Sequence, residues 1–254
     1  MHTTHVSSQR EENSLFKGVF TMQHLAMIMD GNRRWVKRHA LSALSQHGKE
    51  GIDALFTAVQ FCLKKGIMYL SVYMLSLENS KKRSQTELNE IFATTFKTCM
   101  KEDTRLEQHG IRVRFVGDRS LFPHHMMPAI EHIEGYTAHC TKLFLNIFFF
   151  YGARQELVHA VQDIAGKVSA GLMTLHEINE EVLSNHLWTA FIPDPDLVVR
   201  TGSSGATRLS NFLLYQASYS EWKFLDIYWP ELSEKHLEEC WDYFYNKAHR
   251  NFGR

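Results

Sequence analysis

The chain has 254 residues, 44% hydrophobic and 12% aromatic, with 28 Lys plus Arg against 28 Asp plus Glu. That composition can bury a sizeable core and excludes wholesale disorder, and 5 prolines and 14 glycines exclude a collagen-like or linker-dominated chain. A formal charge of zero argues against coating nucleic acid by bulk charge, so no nucleic-acid partner is expected.

Cys62, Cys99, Cys140 and Cys240 form no CxxC pair, hence neither a zinc knuckle nor a redox motif. A reduced cytosolic compartment is the simplest reading. Residues 1–22 read as a mobile polar tail without the apolar core of a signal peptide. The greasiest run, Leu143 to Tyr151, is far short of the ~20 residues of a membrane span. A soluble protein is expected, with one domain over 23–254. The 15 histidines form no HExxH and read as mostly surface or ordinary core residues.

Gln23 to Asp30 is a short apolar run ending in an acid and a glycine, and predicts a buried strand. Helices are predicted over Asn32 to Leu41 and over His47 to Lys65, the second ending at Gly66. Ile67 to Leu75 predicts a second strand. Gln85 to Glu107 predicts an amphipathic helix, with Leu88, Ile91, Phe92, Phe96, Cys99, Met100 and Leu106 on one face. Ile111 to Val116 and Lys142 to Phe150 predict the third and fourth strands. Helices are predicted at 123–139, 153–169 and 176–187, strands at Leu197 to Thr201 and Trp222 to Ile227, and a last helix from Ser233 to Lys247. Such alternation implies a single-domain α/β fold, a mainly parallel six-stranded sheet flanked by helices, with ligands at the C-terminal strand ends.

Chemistry-bearing residues gather at three strand ends. Asp30, Gly31, Asn32, Arg33 and Arg34 stand where the first strand meets a helix, a setting that suits a phosphate. An acid beside a phosphate suggests a bridging Mg²⁺; helix capping by Asp30 and Asn32 explains the same residues. Ser76, Glu78 and Asn79 precede Lys81, Lys82 and Arg83 after the second strand, where a solvated turn before a capped helix is the plain alternative. Arg200 and Arg208 flank a small-residue loop followed by Ser210 and Asn211, either of which can cap the next helix. Two guanidinium forks and loop N–H groups make an anion site, against the plain alternative of a surface loop. Glu221 is either a distant second metal carboxylate or a surface acid. Asp194-Pro195-Asp196 reads as a turn rather than a metal-binding DxD.

Taken in order, these segments resemble the cis-prenyltransferases, the undecaprenyl diphosphate synthase family. His24 to Trp35 is similar to HxAxIMDGNxRW, Ser76 to Asn79 to FSxEN, and Asn146 to Arg154 to the segment ending in YGGR. Arg200 to Phe212 resembles RTGGExRLSNF, and Tyr219 to Glu221, Trp229-Pro230 and His249 to Gly253 complete the series. The resemblance implies a butterfly-like homodimer that joins isopentenyl diphosphate to an allylic diphosphate with Mg²⁺. It implies catalytic roles for Asp30 and Asn79 and metal positions at Asp30 and Glu221, the latter reached across subunits. Substrate contacts are implied at Gly31, Asn32, Arg33, Arg34, Trp35, His47, Ser76, Leu77, Glu78, Ser80, Arg83, Arg200, Arg208, Leu209 and Ser210. A cytoplasmic location, at the inner face of the membrane, and a peripheral membrane contact for product release belong to the same expectation. The expected product is undecaprenyl diphosphate; a shorter or irregular product, or a non-catalytic partner subunit, are the alternatives.

The chain departs from the family pattern at several places. Ala43 stands where an arginine is usual, with Arg38 as a substitute. One extra residue follows His47, and the Asn79 segment is one longer, so that Lys82 or Arg83, with Arg83 favoured, is the phosphate-binding cation. The loop between Arg200 and Arg208 is two longer, and Phe148 to Phe150 replace the usual approach to Tyr151-Gly152. The helix stripe from Leu88 to Leu106 and the strand from Leu143 to Phe150 are expected to give mostly core and partly the wall of a tunnel for the growing chain.

Overall fold

A computed structural model describes residues 21–39, 44–202 and 207–251, without the side chains of 44–48, 99 and 247–251. The expected tail before residue 21, Ala43, the side chains of His47 and Cys99, most of the long loop after Gly202 and the segment beyond residue 251 lie outside the described residues. Six strands form one sheet: β1 (His24–Ile28), β2 (Tyr69–Ser76), β3 (Ile111–Val116), β4 (Leu143–Tyr151), β5 (Leu197–Thr201) and β6 (Glu221–Leu225). Their order is β3-β4-β2-β1-β5-β6, and every pairing is parallel. The central strands β1 and β5 are buried at every residue, as continuous apolar runs such as LVV require when helices cover both faces.

The helices are α1 (Asn32–Arg38), α2 (Leu44–Lys65), α3 (Leu77–Ser80), α4 (Gln85–Lys101), α5 (Asp103–Gln108), α6 (Met127–Tyr136), α7 (Ala153–Ser169), α8 (Glu180–Asn185) and α9 (Glu234–Asn251). Strand alternation divides the core in two. Leu25, Leu70, Val113, Leu145 and Phe149 face a large cluster with Phe61 of α2, Phe92 and Phe96 of α4, Ile130 of α6 and Leu237 of α9. Ala26, Tyr73, Phe148, Tyr151 and Val198 face a second cluster with Ala153 of α7 and Phe212. Burying each large apolar side chain contributes about 1.5–3 kcal/mol, so the sheet is held chiefly by these two layers.

Several boundaries differ from the sequence expectation for local reasons. The helix expected over 85–107 breaks at Glu102 (φ −102°, ψ 6°), which ends α4 and starts α5; Leu106 then turns into the core at 5% exposure. The helix expected from 123 begins with a 3₁₀ turn at His124–Met126, and α6 starts with Pro128 in its first turn, where a missing N–H costs nothing. The 176–187 segment splits into a 3₁₀ turn, Leu175–Glu177, and α8, because the Asn179 side chain accepts the Val182 N–H at 2.9 Å and begins a new helix. The turn expected after β2 is the short helix α3, with Ser76 Oγ accepting the Asn79 N–H at 3.0 Å. The last strand stops at Leu225, and the Ile227 carbonyl instead accepts the Gly202 N–H at 2.7 Å.

Gly117 follows β3 with φ 147°, and a Cβ there would lie 1.8 Å from the Phe149 carbonyl oxygen. Main chain cannot step aside as a flexible side chain would. Gly117→Ala is expected to cost at least about 2 kcal/mol, read as a melting temperature lower by about 4–8 °C.

Candidate active site

From β1 the chain crosses to β2 on one side, and from β5 to β6 on the other, so a crevice opens between the C-terminal ends of β1 and β5. Asp30 stands at the end of β1. Its carbonyl oxygen accepts the Thr201 hydroxyl at 2.8 Å and the Trp229 N–H at 3.0 Å. Its carboxylate receives Arg34 Nη2 on Oδ1 at 2.9 Å and Arg200 Nη2 on Oδ2 at 2.7 Å. Arg200 projects from β5 with a side chain only 5% exposed. It also donates to Ser210 Oγ at 2.6 Å and to the Arg208 carbonyl, while its buried Nε has no partner among the described residues.

Burial opposes ionisation of Asp30. The Arg200 hydrogen bond and the charges of Arg34 and Arg200 outweigh it, holding the carboxyl below the usual carboxylate range. Asp30 is therefore an anion pinned between two cations, with 31% of its side chain exposed to the crevice.

Capping does not account for these residues. The N-cap of α1 is Gly31, at φ 105°, and no side chain caps the helix; the Asn32 amide instead donates to the Met29 carbonyl at 3.1 Å. Gly31 lies against Tyr228, where a Cβ would come within 2.7 Å of Cδ1. The Tyr228 ring also takes the Arg34 and Arg38 guanidinium groups at 5.5 and 5.8 Å. Trp35 is half-buried and packs on His39 at 4.5 Å between rings.

The end of β2 reaches the same crevice. Glu78 and Asn79 are exposed there, whereas Leu77 is buried in the core and Ser80 donates to the Leu77 carbonyl at 2.8 Å. Glu78 accepts the Asn211 amide at 2.7 Å. Asn211 in turn accepts the Arg154 N–H at 2.9 Å on its side chain and the Ala153 N–H at 2.9 Å on its carbonyl. It thus caps α7 rather than a helix of its own, and ties the segment carrying the exposed Arg208, Leu209 and Ser210 to α3 and α7. Ser210, Asn211 and Leu213 all have positive φ, at 53°, 59° and 47°. Asn211 is the residue missing from the sequence-based set; its signal was its place in the stretch after Arg208, where only a local capping role was read.

Beside the crevice, α2 and α4 leave a cavity of about 140 Å³, lined by Met29, Asn32, Arg33, Ile52, Met74, Arg83, Ile91 and Trp229 among others. Arg83 lines it and Lys82 does not. Burial lowers the Arg83 pKa, with Glu87 opposing and Arg33 adding to the effect. Arg33 stands 3.6 Å from Glu87. Deeper in, a void of about 20 Å³ is lined by Leu55, Phe56, Val59, Leu106, Val113, Leu145 and Ile147, and shares Ile52 and Thr95 with the first. Of the expected stripe, Ile91 and Leu106 line these spaces, while Leu88, Phe92 and Phe96 are core and Met100 is 38% exposed. Phe149 and Phe150 stack on Phe92, both at 5.5 Å, within that core.

Glu221 does not join Asp30 within one chain. It opens β6, in register with Leu197, which pairs with Leu25. Asp30 lies five residues beyond Leu25, about 16 Å along the sheet. Asp196 likewise belongs to the far end: its Oδ2 accepts the Gln23 and His24 N–H groups at 2.7 and 2.8 Å, the anchoring expected of a turn. Among the described residues no group of three or more His, Cys, Asp or Glu side chains forms a metal cluster. Asp30 offers a partly exposed carboxylate, which suits Mg²⁺, an ion that takes one or two carboxylates and completes its shell with phosphate oxygens and water.

The family model described as "Putative undecaprenyl diphosphate synthase" matches residues 28–253. The chain belongs to this family of cis-prenyltransferases. Its relatives include the tritrans,polycis-undecaprenyl-diphosphate synthase (geranylgeranyl-diphosphate specific) of Pyrococcus horikoshii, 39% identical over 91% of this chain and 87% of the relative. The isoprenyl transferase of Clostridium perfringens is 36% identical over 91% and 89%. Among solved structures, lavandulyl diphosphate synthase from Lavandula x intermedia, in complex with dimethylallyl diphosphate, superposes with a TM-score of 0.82 at 27% identity, covering 88% of this chain and 95% of that one. A probable undecaprenyl diphosphate synthase from Campylobacter jejuni gives 0.71 at 31% identity, over 89% and 95%. This cis-prenyltransferase therefore has the family's fold, and among the described residues no helix is long and apolar enough to cross a membrane.

Gly31 sets the angle at which Asp30 leaves β1. Gly31→Ala forces a left-handed backbone on a side chain that meets Tyr228, and is expected to lower prenyl transfer about tenfold or more through misplacement of Asp30. Steady-state rates on protein with an intact circular dichroism spectrum check this; an unchanged rate would remove the constraint assigned to Gly31.

Proposed function

We propose that this chain condenses isopentenyl diphosphate in cis with an allylic diphosphate, farnesyl diphosphate first among them, to give a long-chain polyprenyl diphosphate. Undecaprenyl diphosphate, the precursor of the cell-wall lipid carrier, is the product favoured. The observation that carries the reading is the Asp30–Arg200 pair, extended by Arg34 and Ser210, at the mouth of an apolar slot. Arg33, Arg34 and Arg83 are assigned to the primer diphosphate, and Arg200, Arg208 and Ser210 to isopentenyl diphosphate.

In the reaction the allylic C–O bond breaks, diphosphate leaves, the isopentenyl alkene bonds to the allylic carbon, and one proton departs from the isopentenyl unit. Negative charge grows on the leaving diphosphate, and the arginines meet it with N–H donors already oriented by Asp30 and Ser210. Asp30 is the residue that would hold Mg²⁺, which would supply positive charge against the leaving diphosphate. Positive charge on the allylic carbon faces Met29, Met74 and Ile91, where water is scarce and the alkene is the available nucleophile. Asn79, exposed at the end of β2, is the residue assigned to the departing proton. The distance between Glu221 and Asp30 supports a homodimer in which the second carboxylate comes from the other chain. A cytoplasmic protein that meets the membrane surface only to release product completes the proposal.

Primer and length are the finer question. The Pyrococcus relative is named for geranylgeranyl diphosphate, and the lavender enzyme holds dimethylallyl diphosphate. The narrowing of the slot to about 20 Å³ beyond Ile52 and Thr95 favours, as second reading, a shorter product of the same chemistry. Radiolabelled isopentenyl diphosphate with geranyl, farnesyl or geranylgeranyl diphosphate and Mg²⁺, followed by sizing of the lipid, separates the two readings. A chain inactive alone with every primer would instead favour a partner subunit.

Asp30→Ala is expected to lower turnover by about 100-fold or more at an unchanged fold, and near-normal turnover would refute its role. Thr95 lies on both parts of the slot, so Thr95→Phe is expected to shift the product toward shorter chains while initial condensation persists. An unchanged product distribution would place the growing chain elsewhere.

A further inference from the structure

We infer that a second cleft, at the β3 edge of the sheet, binds a small organic phosphate, with the anion between Arg112 and Arg114 and its apolar part against Trp188 and Phe191. Strand β3 pairs only with β4. Its alternation sends Ile111, Val113 and Phe115 into the core and Arg112 and Arg114 to the opposite face, half-buried. That face opens into a cavity of about 830 Å³ whose walls include His159 of α7, Trp188 and Phe191. The volume falls within the range of small-molecule sites, roughly 300–1,000 Å³.

The charges in this cleft are unbalanced. The two arginines are two residues apart on one face, about 7 Å between Cα atoms, and among the described residues neither forms an ion pair. The acids on the rim are already engaged. Glu134 Oε1 receives the Phe115 N–H at 2.8 Å and Arg119 Nη2 at 2.5 Å, and Asp118 Oδ1 receives Ser120 N and Oγ at 3.0 and 2.6 Å. The Arg114 guanidinium stands over Phe191, with Cζ 4.1 Å from the ring centroid. A guanidinium carries five N–H donors, and contact with a ring does not satisfy them as an anion would. Burial depresses the Arg114 pKa, with the charge of Arg112 adding to the effect and Glu134 opposing it. An anion between the two guanidinium groups would relieve that repulsion and accept from both.

This cleft is separate from the diphosphate site. It shares no lining residue with the cavity beside Arg33 and Arg83, and β3 lies three strands from β1, about 14 Å across the sheet. The phosphate could come from a soluble metabolite or from a phospholipid headgroup, and the test separates these sources.

Full-length protein is titrated calorimetrically with phenyl phosphate and with inorganic phosphate, and is co-sedimented with phosphatidylglycerol and with phosphatidylcholine vesicles. Each is repeated with the Arg112→Gln/Arg114→Gln double variant, whose fold is checked by circular dichroism and whose prenyl transfer is expected to be unchanged. Phenyl phosphate binding is expected to weaken about tenfold or more in the double variant, and whatever binding survives there belongs to the diphosphate crevice. Phe191→Ala is expected to weaken phenyl phosphate and leave inorganic phosphate unaffected. Dependence on the two arginines seen only with phosphatidylglycerol vesicles would assign the site to a headgroup, and dependence seen only with phenyl phosphate to a soluble ligand. Wild-type behaviour of the double variant in both assays would overturn the proposal.

Discussion

The structure depends on a buried arginine. Arg200 sits near the C-terminal end of β5, almost without solvent, and taking its charge out of water costs several kcal/mol unless acceptors are waiting. Asp30, Ser210 and the Arg208 carbonyl are those acceptors, one from the end of β1 and two from the stretch that follows β5. The requirement fixes the relative positions of the β1 end, the β5 end and the loop that follows β5. It also explains why Asp30 is held from both sides: its carbonyl is clamped by Thr201 and Trp229, and its carboxylate by Arg200 and Arg34.

The same pair of strands separates two kinds of surface. At their C-terminal ends the residues are charged; the cavity that begins at Asn32 and Gly51 sets Arg33, Arg83, Glu87 and Glu90 beside Met29, Met74 and Ile91, and the void beyond Ile52 and Thr95 is chiefly apolar. The Trp229 indole donates to the Gly51 carbonyl at 2.8 Å, and a Cβ on Gly51 would approach Asn32 Oδ1 at 3.3 Å, so this junction is tightly packed. A prenyl diphosphate has the same division along its length, a dianionic head and an oily tail. The fold supplies a matching discontinuity without a separate binding domain.

Much of this was legible in the sequence. All six strands were: the central ones appear as apolar runs such as LVV or IFFFY, and β3 as an alternation of Arg112 and Arg114 with buried apolar residues. Boundaries set by one side chain or one backbone angle were not: the break at Glu102 and the new start at Asn179 are invisible to periodicity, since the apolar spacing continues across them. The gathering of Asp30, Arg200 and Ser210 followed from their strand ends, but the choice between capping and ion pairing needed three dimensions. Asn211 escaped because its partners, Glu78 and Arg154, are distant in sequence. Leu77 is a core residue and the Ser80 hydroxyl donates to the Leu77 carbonyl, neither of which periodicity announces.

The loop that carries Arg208 and Ser210 is itself strained, with non-glycine residues at positive φ, and strain persists only where surroundings impose it. The imposing element lies on the other face of the sheet. Glu156, 1% exposed, accepts the Tyr151 hydroxyl at 2.5 Å, the Thr189 N–H and hydroxyl at 3.0 and 2.8 Å, and the Gln216 amide at 3.0 Å. Removing that carboxylate would leave several buried donors unpaired at once, each costing about 1–3 kcal/mol. The network thus holds the residues after Leu213 against α7, while Asn211 holds those before it. With both ends of the strained stretch fixed, Ser210 has little freedom to leave Arg200, and the geometry proposed for the anion exists before any anion arrives. Pre-organisation of this kind is what allows arginines to stabilise a leaving diphosphate without the reorganisation that water would require.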